Sequence, residues 1–428
     1  MTDVWRLDTL PSDVLILIFD YCHAFDLVRL SEVCTRFHEV IRDKILWVKK
    51  SKQTLVTNQT SKQFRARCNP LLCLRTKWQI SHNWQYGKYT KKIIFSQGKK
   101  LMPWLQLTDD TLWWSGGDQL FGFKRKDPFS YNDVAFAQRY INSDICKFVV
   151  REDYVISGHR DGSLKFWSLA NSGSLYYDGN GYHMDHLYYS IERAHSTDVN
   201  AVDETSQVVI SGSGDGVVKI WMRPGDTMSN IPSASISVRD RILSLLADPT
   251  GQKFAVGSSG TGDGPPLHIL DIESCTESNV MKHPWRRGAG ILDMVWDNPQ
   301  TLLTCGYDTY VRKWDMRTEK CVGYWPDPTD ATMYCISSDY QYSMVTGAQF
   351  NCKAVLWDQR QTNYVQLYFM NLRRISSPVY SLCFDSSQLY GATDQHLVEL
   401  KFSGRYNKET NYREILRYGW NNDENPRR

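Results

Sequence analysis

The chain has 428 residues, and its 50 Lys and Arg stand against 47 Asp and Glu; a net charge of +3 is too small for bulk attraction to nucleic acid or to an anionic membrane. It is 42% apolar and 13% aromatic, with 15 Trp, enough to bury a large core and far from the composition of a disordered polymer. At about 150 residues per domain the length suggests about three domains, unless repeats make one fold unusually long.

Near the start the longest purely aliphatic or aromatic run, Val14 to Phe19, is six residues, whereas a helical membrane span takes about 20. Asp3, Arg6, Asp8 and Asp13 break the basic-then-apolar order of a secretory leader, so an intracellular protein of the cytoplasm and/or nucleus is expected. The 11 Cys are an odd number without a C-x-x-C pair, which argues for reduced thiols rather than a disulfide framework or a paired-cysteine zinc site. No metal and no cofactor is expected.

Residues 10–50 read as helices. Leu10-Pro11-Ser12-Asp13 puts Pro and an acid in a first helical turn, ahead of the apolar Val14, Leu15, Leu17, Ile18, Phe19 and Tyr21. Leu27, Leu30, Val33, Cys34, Phe37, Val40 and Ile41 then recur at steps of three and four, one helix face, with Asp26 at the expected N-cap. So short a unit cannot enclose that much apolar surface by itself, so part of it should meet another element or another protein. Leu10-Pro11, Ile18-Phe19, Leu27, Leu30, Val33-Cys34, Phe37 and Trp47 resemble an F-box, the Skp1-binding module of cullin-RING ubiquitin ligases. The resemblance implies a Skp1-binding set of Leu10, Pro11, Val14, Ile18, Phe19, Leu27, Leu30, Val33, Cys34 and Phe37.

From about residue 93 the texture changes to short β-branched and aromatic runs punctuated by Gly and Asp. Val155 to Trp167 and Val209 to Trp221 each read strand, Asp-Gly turn, strand. The residues closing such units are Phe123, Trp167, Trp221, Leu270, Trp314, Trp357 and Leu400, at spacings of 44, 54, 49, 44, 43 and 43. This period of about 40–45 residues, with Trp314-Asp315 and Trp357-Asp358, is the mark of WD40 repeats, and seven of them close a ring. The long interval places a Tyr- and His-rich insertion, Gly179 to Tyr189, as a surface loop between blades 2 and 3. Blades 1, 4 and 7 lack the closing Trp, and blade 6 carries Asn351 where the turn Asp is expected.

Between these parts, Asn83-Trp84-Gln85-Tyr86-Gly87 is similar to the segment preceding the propeller in F-box/WD-repeat proteins. In that family a following strand completes the last blade, a role that falls here to Ile93-Ile94-Phe95 and leaves no free edge. Trp78 to Tyr89 and Met102-Pro103-Trp104 are similar to the dactylin group of that family. The expected architecture is therefore all-α F-box helices at 1–50, a partly helical connector at 51–92, an all-β seven-bladed WD40 propeller at 93–404 and a polar tail at 405–428.

In blade 3, His195, Ser211, Asp215 and Trp221 occupy the positions at which a WD repeat keeps an internal hydrogen-bond network, so they read as structural. A hydrolase triad is disfavoured because the repeat explains the spacing and no nucleophile elbow appears. With no phosphate loop and no metal-ligand spacing, the chain is expected to bind rather than to catalyse. The resemblance implies a substrate receptor that joins Skp1, and through it cullin and RING subunits, to a protein held on the propeller face formed by the loops leading into each blade and the turns inside it.

On that face the sequence puts Arg139, Arg160, Arg193, Arg239, Arg241, Arg286, Arg287, Arg373 and Arg374, with Tyr307 and Phe350, while the loop leading into blade 6 carries Asp327 and Asp330. Such arginines suit carboxylate or phosphate, so an acidic or phosphorylated peptide is expected. Relatives that read phosphodegrons commonly place Arg just inside the first strand, where this chain has Asn200, Tyr334 and Tyr380, a departure that puts that motif in doubt. Glu192 and Asp240 could neutralise neighbouring arginines, Arg65-Ala66-Arg67 reads as a solvated face, and Trp285 is open between a surface anchor and packing. A WD-repeat scaffold that directs no ubiquitin is the competing reading; an RNA-binding or enzymatic propeller has neither basic excess nor a reactive constellation behind it.

Overall fold

In the computed structural model the described residues are 6–50, 54–68, 71–126, 133–139, 143–170, 174–177, 182–223, 229–370 and 376–404. The predicted Arg373 and Arg374 and the tail at 405–428 lie outside them.

The head is built from α1 (Ser12–Asp20), α2 (Ala24–Leu30), α3 (Thr35–Ile41) and α4 (Lys44–Lys50). Asp13 sits in the first turn of α1, where a negative charge suits the helix dipole. Leu15 and Phe19, one turn apart, point inward and meet Leu27, Phe37, Val40, Ile41, Leu46 and Trp47. The Phe19 and Phe37 rings meet edge-on at 5.3 Å, and the Trp47 indole donates to the Ile41 carbonyl at 2.7 Å. The three-four periodicity that suggested one continuous face runs across two helices. Cys34 is extended and caps α3 through its sulfur, which accepts from the Phe37 N–H, and a turn over 31–33 keeps the spacing while breaking the helix. Asp26 lies inside the first turn of α2, whose N-cap is His23.

The body is a seven-bladed β-propeller of four-stranded antiparallel sheets. Blades 1 to 6 span 104–139, 145–191, 199–237, 242–279, 291–326 and 333–369, and the first strands of successive blades lie side by side around the centre. Blade 7 takes its first three strands from 379–401 and its outer strand, Thr90–Ser96, from the front of the body, paired with His396–Lys401. Phe123, Trp167, Trp221, Leu270, Trp314, Trp357 and Leu400 all fall on third strands, opposite Leu112, Val155, Val209, Phe254, Leu302, Met344 and Leu389. All of these residues are buried. Leu and Phe therefore replace Trp as apolar filling without losing register.

The insertion sits elsewhere than expected. Leu187–Ile191 is the fourth strand of blade 2, and the extra residues form a hairpin, Ser174–Tyr177 with Tyr182–Asp185, between the third and fourth strands of that blade. A tyrosine-rich segment pairs as strand where its tyrosines suggested surface loop. Inside the blades, Gly162 of an Asp-Gly turn has φ +84°, and a Cβ there would meet the His195 carbonyl oxygen at 2.3 Å. Asn351 holds φ +62° in the corresponding turn of blade 6, a conformation Asn tolerates better than most residues.

The blade 3 residues come together as a network. Ser211 Oγ lies 2.8 Å from His195 Nε2 and accepts from the Trp221 indole at 2.9 Å; Asp215 accepts from the Ser196 N–H and stands 3.4 Å from His195 Nδ1. Blade 2 repeats it with Ser157, Trp167 and His159, the imidazole now coming from the strand itself. In blades 5 and 6 the Trp indole still donates to a threonine hydroxyl, at 2.9 Å in each. Burial holds both imidazoles down at about 4, partly opposed by Asp161 and Asp215.

These two histidines stay neutral in the folded protein, whereas the unfolded chain protonates them below about 6.5. They should therefore cost stability as pH falls from about 6.5 to about 4, by roughly 2–3 kcal/mol apiece, and nothing further below that. Asp339, raised to about 6 by burial, works in the opposite direction over part of this window. Urea unfolding between pH 7 and 4 should accordingly show a shallower loss for His195→Gln than for the unaltered chain.

Candidate functional site

The helical head divides the residues expected at its partner surface into three groups. Phe19, Leu27 and Phe37 are buried in the head's own core and offer nothing to a partner, since a helix that must pack inward has to spend some of its apolar positions there. Leu10, Leu30 and Cys34 are half-buried. Pro11, Val14, Ile18 and Val33 are exposed. The sequence reading missed Leu17 and Tyr21, which are 66% and 93% exposed and complete a stripe of Val14, Leu17, Ile18 and Tyr21 along α1 and its C-cap. The i, i+3, i+4, i+7 spacing of that stripe was there to be read; the inward Leu15 and Phe19 beside it made the helix look apolar all round. Ile45 and Val48 of α4 are exposed as well.

The connector fixes where this stripe points. Its helices are α5 (Lys62–Arg65) and α6 (Leu74–Gln85). At the front of α6, Leu74 and Trp78 pack against the head, with Trp78 6.1 Å from Trp47 and Arg75 donating to Ser31 Oγ at 2.9 Å. At its far end Ile80 and Trp84 belong to a core shared with Val345, Tyr368, Phe384, Leu400 and Phe402 of blades 6 and 7. Trp84 is fully buried, stacks on Phe402 at 3.8 Å and donates to the Ser386 carbonyl at 2.9 Å. Asn83 reaches the carbonyls of Phe402 and Gly404, and Tyr368 donates to that of Trp84. Ahead of α5, the Val56 N–H donates to Ser343 Oγ and Asn58 bonds Gln341. Every propeller residue touched at a turn here lies between first and second strands or just past a third strand.

That places the connector on one face of the ring and the loops leading into the blades on the other. On this second face the arginines do not act alike. Arg160 stands 3.5 Å from Asp144 and Arg241 2.8 Å from Asp198, while Arg139 pairs with Asp118 at 2.8 Å. Glu192 is taken by Lys165 and not by Arg193. Asp240 accepts from Ser258, Ser259, Thr261 and the Gly260 N–H, bonds that hold its carboxyl down at about 2 against the pull of burial. Neither acid is left to neutralise the neighbouring arginines. Arg239, Arg286 and Arg287 are exposed. Arg239 and the loop of Arg286 flank one turn, for the Gly260 N–H donates to the Asp240 carboxylate on one side and the Gly260 carbonyl accepts from the Gly288 N–H on the other.

Tyr307 and Phe350 are exposed near that turn and near the blade 6 turn respectively, and the half-buried Tyr334 and Tyr380 meet edge-on at 5.3 Å towards the centre. Asp327 is not a surface acid: it is buried against Lys353 at 2.7 Å. Trp285 stacks on Trp314 at 5.2 Å, so packing decides its role. Asn200 donates to the Ile242 carbonyl. Among the described residues no group of His, Cys, Asp or Glu could hold a metal ion, and no helix is long and apolar enough to cross a membrane.

The F-box-like family matches residues 7–53, and the WD domain, G-beta repeat, matches residues 187–222. F-box/WD repeat-containing protein 4 of Mus musculus, the dactylin of the resemblance above, is 30% identical over 404 residues, covering 93% of each chain. The Homo sapiens protein of the same name is 30% identical over 406 residues, again 93% of each. Among solved structures, the WD40 β-propeller domain of Doa1 superposes with a TM-score of 0.54 at 13% identity, over 72% of this chain and 96% of that one, a likeness of fold alone.

The two groups of head residues should separate in a denaturation experiment. Phe19→Ala is expected to cost about 3–5 kcal/mol, as an emptied aromatic core site does, while Leu17→Asp, on the open stripe, should leave stability within about 0.5 kcal/mol.

Proposed function

The chain belongs to the F-box/WD-repeat protein family, and from that premise we propose that it is the substrate-recognition subunit of an SCF-type ubiquitin ligase. The head would bind Skp1 and through it the cullin and RING subunits. The open face of the propeller would hold the protein to be modified. No reacting group of this chain takes part; its contribution is to raise the effective concentration of substrate lysines at a ubiquitin-charged enzyme. It would work in the cytoplasm and/or nucleus.

The observation that carries this reading is the exposed apolar stripe of Val14, Leu17, Ile18 and Tyr21 on a helix whose other face is packed. An isolated soluble protein gains nothing from such a stripe, and a flat apolar partner surface would cover it. Leu17→Asp combined with Ile18→Asp should abolish co-purification with Skp1 while the propeller stays folded. Retained Skp1, or no Skp1 with the unaltered chain, would return the protein to the class of WD-repeat scaffolds.

For the substrate, we propose an acidic or phosphorylated segment crossing blades 4 and 5. Arg239, Arg286 and Arg287 would make the charged contacts there, with Tyr307 packing beside them. Tyr334, Tyr380 and Phe350 would complete an aromatic centre. Arg160 and Arg241 are already engaged by Asp144 and Asp198 and would contribute less. Cargo identified by proximity labelling under proteasome inhibition supplies the peptide to titrate. Changing Arg239, Arg286 and Arg287 together to Glu should weaken its binding about a hundredfold or more, and Arg160→Glu about tenfold at most.

A further inference from the structure

A cavity of about 390 Å³ runs between the inner strands of blades 1, 2, 5, 6 and 7, with Gln63, Ala66 and Arg67 of the connector at one end. Its charges do not balance. Lys147 of blade 2 reaches across the ring to Asp293 of blade 5 in a long ion pair of 3.9 Å, with its ammonium 3.7 Å above the Trp104 ring. Asp293 spends its other oxygen on the Ile336 N–H at 3.0 Å. Burial pushes its carboxyl up, against the pull of Lys147, and among the described residues that line the cavity it is the one carboxyl.

Arg67 adds a second cation. Its guanidinium lies over Phe64, Tyr340 and Phe384 at 5.0, 5.5 and 5.0 Å and donates to the Ser338 carbonyl, while its buried Nε has no partner. It is therefore not the solvated face expected from the sequence, and no carboxylate pairs with it among the described residues. Two cations and one reluctant carboxylate around a cavity large enough for a small ion and water is a costly arrangement to leave unfilled.

We propose that the central channel binds a small, freely diffusing oxyanion, a phosphate or a carboxylate, between Lys147 and Arg67. The ligand would touch the ring and the connector together, so its binding would tighten the seat of the head on the propeller. The site is on the channel axis, separate from both the α1 stripe and the arginines of blades 4 and 5, and does not depend on either being used.

The test titrates the full chain with inorganic phosphate at constant ionic strength set with sodium chloride, by calorimetry and by thermal unfolding. Saturable binding with a rising Tm is expected, and Lys147→Gln should raise the dissociation constant at least about tenfold, the loss of one charge-assisted contact. Arg67→Gln should do the same, but it also disturbs the connector, so the half-buried Lys147 is the deciding position. Citrate competing with phosphate would extend the class to carboxylates, and failure of citrate to compete would confine it to phosphates. No saturable binding, a chloride control that matches phosphate, or an affinity untouched by Lys147→Gln would each overturn the proposal.

Discussion

The arrangement of this protein depends on one indole. Trp84 is buried where the last turn of α6 meets blades 6 and 7, stacked on Phe402 and tied to Ser386, while the first turns of the same helix belong to the head. Twelve residues at 1.5 Å each make a strut of about 18 Å, too short and too well held at both ends to swing. Two units that would otherwise be joined by a linker thus share a continuous piece of packed interior. A receptor that must present cargo at a set place gains from this, because a flexible join spreads its cargo over a volume that grows steeply with linker length.

The propeller was legible because its information is repeated. One position per blade, the residue closing the third strand, falls in register seven times, and three of the seven are not Trp. What the repeat protects is a buried apolar pair across two strands, and Leu or Phe meets that need; the indole-to-hydroxyl bond is an addition available only where Trp is present. The insertion was misplaced for a related reason. Tyrosines are common on surfaces and common in strands, and nothing local told Leu187–Ile191 that a third strand was waiting for it.

The candidate sites were legible only in part. Residue type and spacing marked the head as a partner surface, but could not say that Phe19 points in and Ile18 out, since both satisfy the same hydrophobic pattern. Charge was harder still. Arg160, Arg241 and Arg239 look alike in sequence, and what distinguishes them is whether an aspartate from a different loop, 16 residues away for Arg160 and 43 for Arg241, arrives beside them. Asp240 sits directly between two of the arginines and pairs with neither guanidinium, because four hydroxyl and amide donors of the next turn and the Arg241 N–H claim it. Arg67 is the extreme case, a charge in a basic tripeptide that turns inward onto three rings.

The outer strand of blade 7 is drawn from Thr90–Ser96, and its partner strand, His396–Lys401, is among the last described parts of the chain. During synthesis the head can fold as soon as it leaves the ribosome, but the ring stays open until some three hundred further residues have been made. A nascent or prematurely terminated chain therefore leaves the outer edge of Thr90–Ser96 without its partner strand, the kind of exposed edge that templates aggregation. The molecule is licensed for work by its own completion.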